Sequence, residues 1–204
     1  MNFWSLERTG AYLGRHAGAG KGLPCLLFFT DPIRTPHPEA IAARLPRGAA
    51  VVFRAFGAAD AEARGGRLMA IARRRGLVLL VGADANLARR LGADGVHLPE
   101  RLAHRARWLK ASRPGWIVTV AAHSERAARR GLAAGADAVV ISVAFPSRSA
   151  SAGAAMGPVR LARIVRGLSG PAYGLGGVTN ETARRLLDAG LVGLAAVEGL
   201  TPRT

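Results

Sequence analysis

Leu91-Gly92-Ala93-Asp94-Gly95-Val96 and Ala134-Gly135-Ala136-Asp137-Ala138-Val139 are two copies of one pattern, and Ala189-Gly190-Leu191-Val192-Gly193-Leu194 is a weaker third. Each reads as a helix ending at a glycine, a tight turn, and the start of a buried strand. A joint of this kind, repeated along a chain, is how successive strands are linked through helices in α/β proteins.

On either side of these joints lie eight short apolar runs, at 25–30, 50–54, 77–81, 94–98, 116–121, 138–143, 171–175 and 192–197. Several are too continuously apolar for strands with one wet face, which marks parallel strands covered on both sides. Helices are predicted between them at 38–46, 58–75, 84–91, 101–112, 124–134, 158–168 and 180–189. Asp60, Ser124 and either Thr179 or Asn180 are the predicted caps. Residues 3–16 predict an additional N-terminal helix, and after Leu200 the last helix must be reduced or absent. Eight such alternations favour a (β/α)₈ barrel over an open doubly wound sheet. The 204 residues suffice for one domain spanning 1–204, with no linker to divide it. They fall short of the roughly 250 typical of this barrel, so the loops must be tight.

The net charge of +16 comes almost wholly from arginine; lysine occurs only at Lys21 and Lys110. Pairs and triplets such as Arg73-Arg74-Arg75, Arg89-Arg90 and Arg129-Arg130 fall towards the ends of predicted helices, where they complement the helix dipole. With aromatic residues at 5% of the chain, platforms for single-stranded nucleic acid are not evident. A solvated arginine-rich surface is expected, and no nucleic-acid partner. The start of the chain lacks the apolar segment of a secretory signal, and no apolar run approaches the roughly 20 residues that span a bilayer. This points to a cytoplasmic protein without a membrane partner. Cys25, the single cysteine, reads as core.

In a barrel of this kind, ligands meet the C-terminal ends of the strands and the loops that follow. Arg54, ending the second run, is placed to hold an anion. His123 follows the fifth strand: it is either an acid/base or hydrogen-bonding group, or a loop histidine that fixes the helix cap. His97, inside the fourth run, is expected to pack or hydrogen-bond within the barrel, and Ser124 to cap a helix. The loop after the sixth strand carries Ser147 and Ser149, which suit a lid or an anion contact. Gly176-Gly177 after the seventh strand is either a tight turn or a place where backbone amides approach a phosphate. Val197 and Glu198 after the eighth complete the phosphate side, although a carboxylate beside a phosphate is costly unless protonated or paired. No Cys/His cluster, HExxH or paired-carboxylate metal site is present in the sequence.

These landmarks occur in the order of the thiamine phosphate synthase/TenI family, which the chain resembles from about Leu26 to Leu200. The family's "GADGVHL" matches Gly92 to Leu98 outright. Its "SxHS" looks like Ala121-Ala122-His123-Ser124, its "PxFPTxSK" lid resembles the stretch through Phe145-Pro146-Ser147-Arg148-Ser149, and its "IGGI" resembles Leu175-Gly176-Gly177-Val178. The resemblance implies a cytoplasmic barrel enzyme that joins a hydroxymethylpyrimidine diphosphate to a thiazole phosphate, expelling pyrophosphate with Mg²⁺ help.

It also exposes departures. The family's "QLREK" is Val52-Phe53-Arg54-Ala55-Phe56 here, keeping the arginine alone. The metal-binding aspartate of "NDR" corresponds to Asp84, but a second metal carboxylate falls near Leu102, the lid lysine at Ala150 and the strand-five serine at Ala121. The lid histidine of the TenI tautomerase corresponds to Val143. Losing one preorganised charge contact commonly costs 10²-fold in rate. Mg²⁺ is thus expected for the family while its ligands are substituted, and Asp84 with Glu100 is the remaining displaced pair. The expected partner is a small phosphorylated molecule, bound for catalysis or held by a non-catalytic sensor. An enzyme of new chemistry using His123 and Glu198 is a third reading. A homodimer could cover the face left by the missing last helix.

Overall fold

Strands that are apolar at nearly every position must be covered on both faces, and this chain achieves that by closing its sheet on itself. The computed structural model describes residues 5–16, 22–147 and 153–200. The strands are β1 (Leu26–Phe29), β2 (Ala50–Phe53), β3 (Val78–Gly82), β4 (Gly95–Leu98), β5 (Ile117–Ala122), β6 (Ala138–Ser142), β7 (Ala172–Leu175) and β8 (Gly193–Ala196). Each runs parallel to the next, and β1 pairs with β8 from Leu26 against Leu194 to Phe28 against Ala196, which closes the barrel. The open-sheet alternative is thereby excluded.

Seven helices follow the first seven strands: α2 (Pro38–Ala42), α3 (Ala61–Arg75), α4 (Ala85–Leu91), α5 (Ala106–Ser112), α6 (Glu125–Ala133), α7 (Gly157–Arg166) and α8 (Asn180–Ala183). Two predicted helices are divided. A 3₁₀ segment, Glu100–Arg105, precedes α5, and α8 gives way after one turn to 3₁₀ at Arg184–Leu186. After β8 the described chain adds one 3₁₀ turn, Glu198–Leu200. The N-terminal helix α1 (Leu6–His16) buries Leu6 and Leu13 and packs against β1 and β8. It therefore covers the part of the barrel wall that a helix after β8 would cover. None of the described helices is long and apolar enough to cross a membrane.

Period-two alternation divides the apolar residues between two cores. Leu27, Phe29, Val52, Leu80, Val140, Tyr173 and Ala195 fill the barrel interior. Their neighbours Leu26, Phe28, Val51, Phe53, Leu79, Val139 and Leu194 face the helices. The caps are mostly as the sequence implied: Ser124 Oγ accepts from Ala127 N, and Thr179 forms a reciprocal box with Thr182. Asp60 takes the cap position of α3, but its side chain makes no capping hydrogen bond. Cys25 lies just before β1 and is half-buried rather than core.

The repeated joint has a structural explanation. Gly92 and Gly135 take left-handed φ values of 63° and 91°. The aspartate two residues on then ties two strands together at the N-terminal end of the barrel. Asp94 Oδ2 accepts from Leu79 N and Asp137 Oδ2 from Val118 N, each at 2.7 Å. In the third copy Val192 keeps the backbone bond, to Ala172 O, without the carboxylate.

Candidate functional site

The inward alternation of each strand continues past its last residue, so two-residue steps from the inner core lead to the mouth. From Val52 the step reaches Arg54, from Val140 it reaches Ser142, and from Ala195 it reaches Val197. A cavity of 1170 Å³ opens there, and Arg54, His123, Ser147, Gly176 and Val197 are among its lining residues. A second cavity of 550 Å³ adjoins it, with Gly177 and Glu198 in its wall. Arg34, Ser147, Leu175, Gly176 and Val197 line both. The structure thus gathers these sequence candidates at one end of the barrel; Ser149 lies outside the described residues.

Arg54 is fixed from three directions. Its backbone N donates to Thr30 Oγ1 (2.9 Å), its Nε to Thr30 O (2.7 Å), and its Nη2 to Asp31 Oδ2 (3.2 Å). Asp31 also accepts from Arg34 Nη2 at 2.8 Å, so one carboxylate serves two guanidinium groups. Desolvation at the rim pushes the Asp31 carboxyl up. The Arg34 side chain and the amides of Arg34 and Ile33 outweigh that and hold it at about 2. The guanidinium carbon of Arg54 stands 5.7 Å from the Phe29 ring centre and 5.1 Å from that of Phe56. A guanidinium held this way costs little further entropy when it meets an anion.

His123 does not fix the cap with its ring. Its Nδ1 lies 3.0 Å from Ser142 Oγ, and its backbone N donates to Glu100 Oε2. The ring and the Ser142 hydroxyl form one polar pair on the cavity wall. His97, one layer deeper, pairs Nδ1 with Thr119 Oγ1 at 2.9 Å and meets Phe29 edge-on. Burial, then the charge of Arg54, pushes its pKa down to about 3, so it is a neutral hydrogen-bonding group.

The Gly176-Gly177 turn is demanded by packing. Both residues have positive φ, 97° and 62°. A Cβ on Gly176 would lie 2.8 Å from Val143 Cγ1, and one on Gly177 would lie 2.4 Å from Pro146 O. The segment after β6 therefore rests on the turn, which brings Ser147 beside it. The next helix adds little positive end: α8 has a single turn, and Thr179 Oγ1 already accepts from Glu181 N and Thr182 N. Positive charge reaches the second cavity through Arg34 and Arg185 instead, the latter 5.1 Å from the Phe145 ring centre. These two arginines bring positive charge to the cavity whose wall also holds Glu198.

The two carboxylates left for a Mg²⁺ ion, Asp84 and Glu100, each have other partners. Asp84 spends one oxygen capping α4, accepting from Leu87 N at 2.9 Å. Glu100 is turned to Arg130 Nη2, at 2.9 Å, and to His123 N. Among the described residues, no three His, Cys, Asp or Glu side chains cluster as metal ligands.

Reading the sequence by strand ends missed Thr30, Asp31 and Arg34 after β1, Ser142 at the end of β6, and Arg185. The signal for the first group was present: an acid and an arginine three residues apart, directly after an apolar strand. Nothing local marks Arg185, which reaches the site only through the packing of the segment after α8.

Comparison with known proteins identifies the family. The family model for thiamine monophosphate synthase, TMP-TENI, matches residues 26–200. A thiamine-phosphate synthase of Thiobacillus denitrificans is 35% identical over 145 residues, 70% of this chain and 68% of that protein. One of Bacillus velezensis is 31% identical over 137 residues, 66% of this chain and 61% of the relative. The thiamine biosynthesis bifunctional protein ThiED of Geobacter sulfurreducens is 31% identical over 144 residues, 29% of its length. The chain thus spans less than two thirds of several of the relatives it matches. In fold, a thiamine phosphate pyrophosphorylase from Pyrococcus furiosus superposes with a TM-score of 0.70 at 24% identity, over 85% of this chain and 87% of that one.

Proposed function

This chain belongs to the thiamine monophosphate synthase family, and from that premise we propose that its barrel mouth binds phosphorylated intermediates of thiamine biosynthesis. The reaction is the one the resemblance implies, joining a hydroxymethylpyrimidine diphosphate to a thiazole phosphate. One observation carries the reading: an anchored arginine and a second cavity lined by Arg34, Arg185 and the Gly176-Gly177 turn share one mouth.

In this reading Arg54 orients an anion from a fixed position, and Arg34 stands where the two cavities meet. His123 and Ser142 hold a polar contact on the wall, while Val140, Val143 and Leu175 keep the floor dry. Ser147, and Ser149 by resemblance, contact the ligand from the segment after β6. Joining the two rings requires the nitrogen of the thiazole to take the methylene carbon as its bond to pyrophosphate breaks, and pyrophosphate leaves with the electron pair. Mg²⁺ serves that departure in the family, and Asp84, in the cavity wall, is the carboxylate here that would meet it. Purified protein given both substrates and Mg²⁺ should form thiamine phosphate with release of pyrophosphate. No turnover above buffer would end the synthase reading.

A specific observation favours a second reading, a non-catalytic binding or sensor protein on the same barrel. Asp84 gives one oxygen to a helix cap and Glu100 pairs with Arg130, so less of their charge is left to help expel a diphosphate. Calorimetry against thiamine phosphate decides this one: saturable binding without turnover supports it, and no binding removes it.

A further inference from the structure

Trp108 lies on the outer face of α5 and is 62% exposed, so the fold draws little stability from its ring. It belongs to a stripe. Arg101, Arg105, Trp108 and Ser112 follow one another at spacings of four, three and four along the 3₁₀ segment and α5, the repeat that sets side chains on one side of a helix. All four line the 1170 Å³ cavity, together with Asn86, Arg89 and Arg90 of α4. The cavity therefore runs on from the mouth as a groove along α4 and α5, down the outside of the barrel.

The groove has an apolar floor and basic walls. Leu87, Leu109 and Trp116 are buried beneath it. Along this flank the arginines at 89, 90, 101, 105 and 113 face only two carboxylates, Glu62 and Asp84. Arg90 meets Glu62 at 2.8 Å in a solvent-open bridge, and Arg113 stands 5.9 Å from the Trp116 ring centre. Among the described residues, no carboxylate pairs with Arg89, Arg101 or Arg105. Like charges gathered without partners repel one another, so the fold itself gains nothing from the cluster. Arginine and tryptophan are, however, the residue types in which protein interfaces concentrate their binding energy.

We propose that the groove along α4 and α5 is a docking site for an acidic, amphipathic segment of a partner protein, with Trp108 as its aromatic anchor. Carboxylates of the segment pair with Arg89, Arg101 and Arg105, and its apolar side chains cover the floor between them. That floor, and the carboxylates of Glu62 and Asp84 set among the arginines, favour a peptide over a nucleic acid. A nucleic acid carries a charge at every phosphate and offers no aliphatic side chain to the floor. A second copy of this chain is a poor occupant, because 29 Lys and Arg against 13 Asp and Glu make two copies repel. The groove and the mouth are one cavity, so a docked partner stands beside whatever the barrel binds. The inference does not depend on which ligand that is.

The test is fluorescence titration of the full chain, at about 0.15 M salt, with a synthetic peptide of about twelve residues that carries Glu and Leu at helical spacing. The peptide should bind the wild type and shift tryptophan emission to the blue as Trp108 is covered. Trp108→Phe should abolish the shift and keep the affinity within about twofold, while Trp108→Ala weakens binding about tenfold. Arg101→Gln combined with Arg105→Gln should also weaken it about tenfold. Arg160→Gln with Arg163→Gln removes the same charge from exposed positions on α7 and should change affinity less than about twofold. None of the substituted side chains is buried, and thermal unfolding checks that each variant is folded. Equal losses from the two arginine pairs would mean attraction by net charge alone and overturn the proposal. So would an unchanged affinity in Trp108→Ala, or no binding of the peptide to the wild type. An oligothymidylate of the same charge should bind about tenfold more weakly than the peptide. If it binds as tightly and is lost with the same variants, the groove serves nucleic acid and the peptide reading falls.

Discussion

Nη2 of Arg54 lies 3.2 Å from Oδ2 of Asp31, and the same oxygen is 2.8 Å from Nη2 of Arg34. The arrangement comes from two different strand ends, β1 and β2, whose parallel register aligns Phe29 with Val52 and so sets Thr30 and Asp31 beside Arg54. Asp31 thus governs both the posture of the mouth arginines and part of the acid stability.

Asp31→Asn should destabilise the protein at neutral pH by roughly 1–2 kcal/mol, since solvent at the rim screens part of the ion pairing. The folded carboxyl sits at about 2 against an ordinary 3.8. The contribution is therefore complete above about pH 4 and lost as pH falls through 2. Denaturant unfolding of both proteins should show a gap at pH 7 that closes near pH 2; a gap independent of pH would contradict the assignment.

His97 acts over a different window. Its ring is held neutral, with a pKa near 3 against 6.5 unfolded. Stability should therefore decline as pH drops below about 6.5, by about 1.4 kcal/mol per pH unit from this group, until about pH 3. His97→Gln keeps a hydrogen-bonding group near Thr119 and cannot titrate. Its unfolding midpoint should be flatter than the wild type's between pH 6 and pH 4, and an identical slope would refute the role.

The aspartates of the repeated joint serve the fold. Asp137 meets both Val118 N and Lys110 Nζ, at 2.7 and 3.0 Å, whereas Asp94 is recorded with Leu79 N alone among side-chain partners. Asp137→Ala should cost about 2 kcal/mol and Asp94→Ala about 1 kcal/mol in chemical denaturation, because a strand amide loses a charged acceptor. Neither should alter ligand affinity by more than twofold, as both lie at the end of the barrel away from the mouth.

Gly177→Ala places a methyl group 2.4 Å from Pro146 O in a backbone with φ of 62°. The segment carrying Ser147 must lift or the turn must change. We expect a loss of more than about 2 kcal/mol in stability, together with weakened phosphate binding by calorimetry. A variant with wild-type melting temperature and affinity would show that the packing is not needed.

Much of this was legible along the chain, for a definite reason. Strand positions, the joints at Gly92 and Gly135, the caps at Ser124 and at Thr179 or Asn180, and the extra helix at the N-terminus all follow from local rules: periodicity, turn geometry and orphan backbone groups. The same rules placed Arg54, His123, Gly176 and Val197 at strand ends, and a parallel barrel sends every strand end to one face. Local rules failed where an element was stabilised by its neighbours, as at 180–189, where one turn of α8 passes into 3₁₀. They also could not tell that Asp60 caps nothing with its side chain.

The sequence alone therefore determined the barrel, its order of elements and the end at which chemistry can occur, because alternation and turn chemistry act between residues close along the chain. Only the tertiary structure decided which charges meet. Asp31 with Arg54, Glu100 with Arg130, and Ser142 with His123 are separated by 23, 30 and 19 positions. Closing the sheet fixes the register that brings them within hydrogen-bonding distance, and no short-range pattern encodes that register.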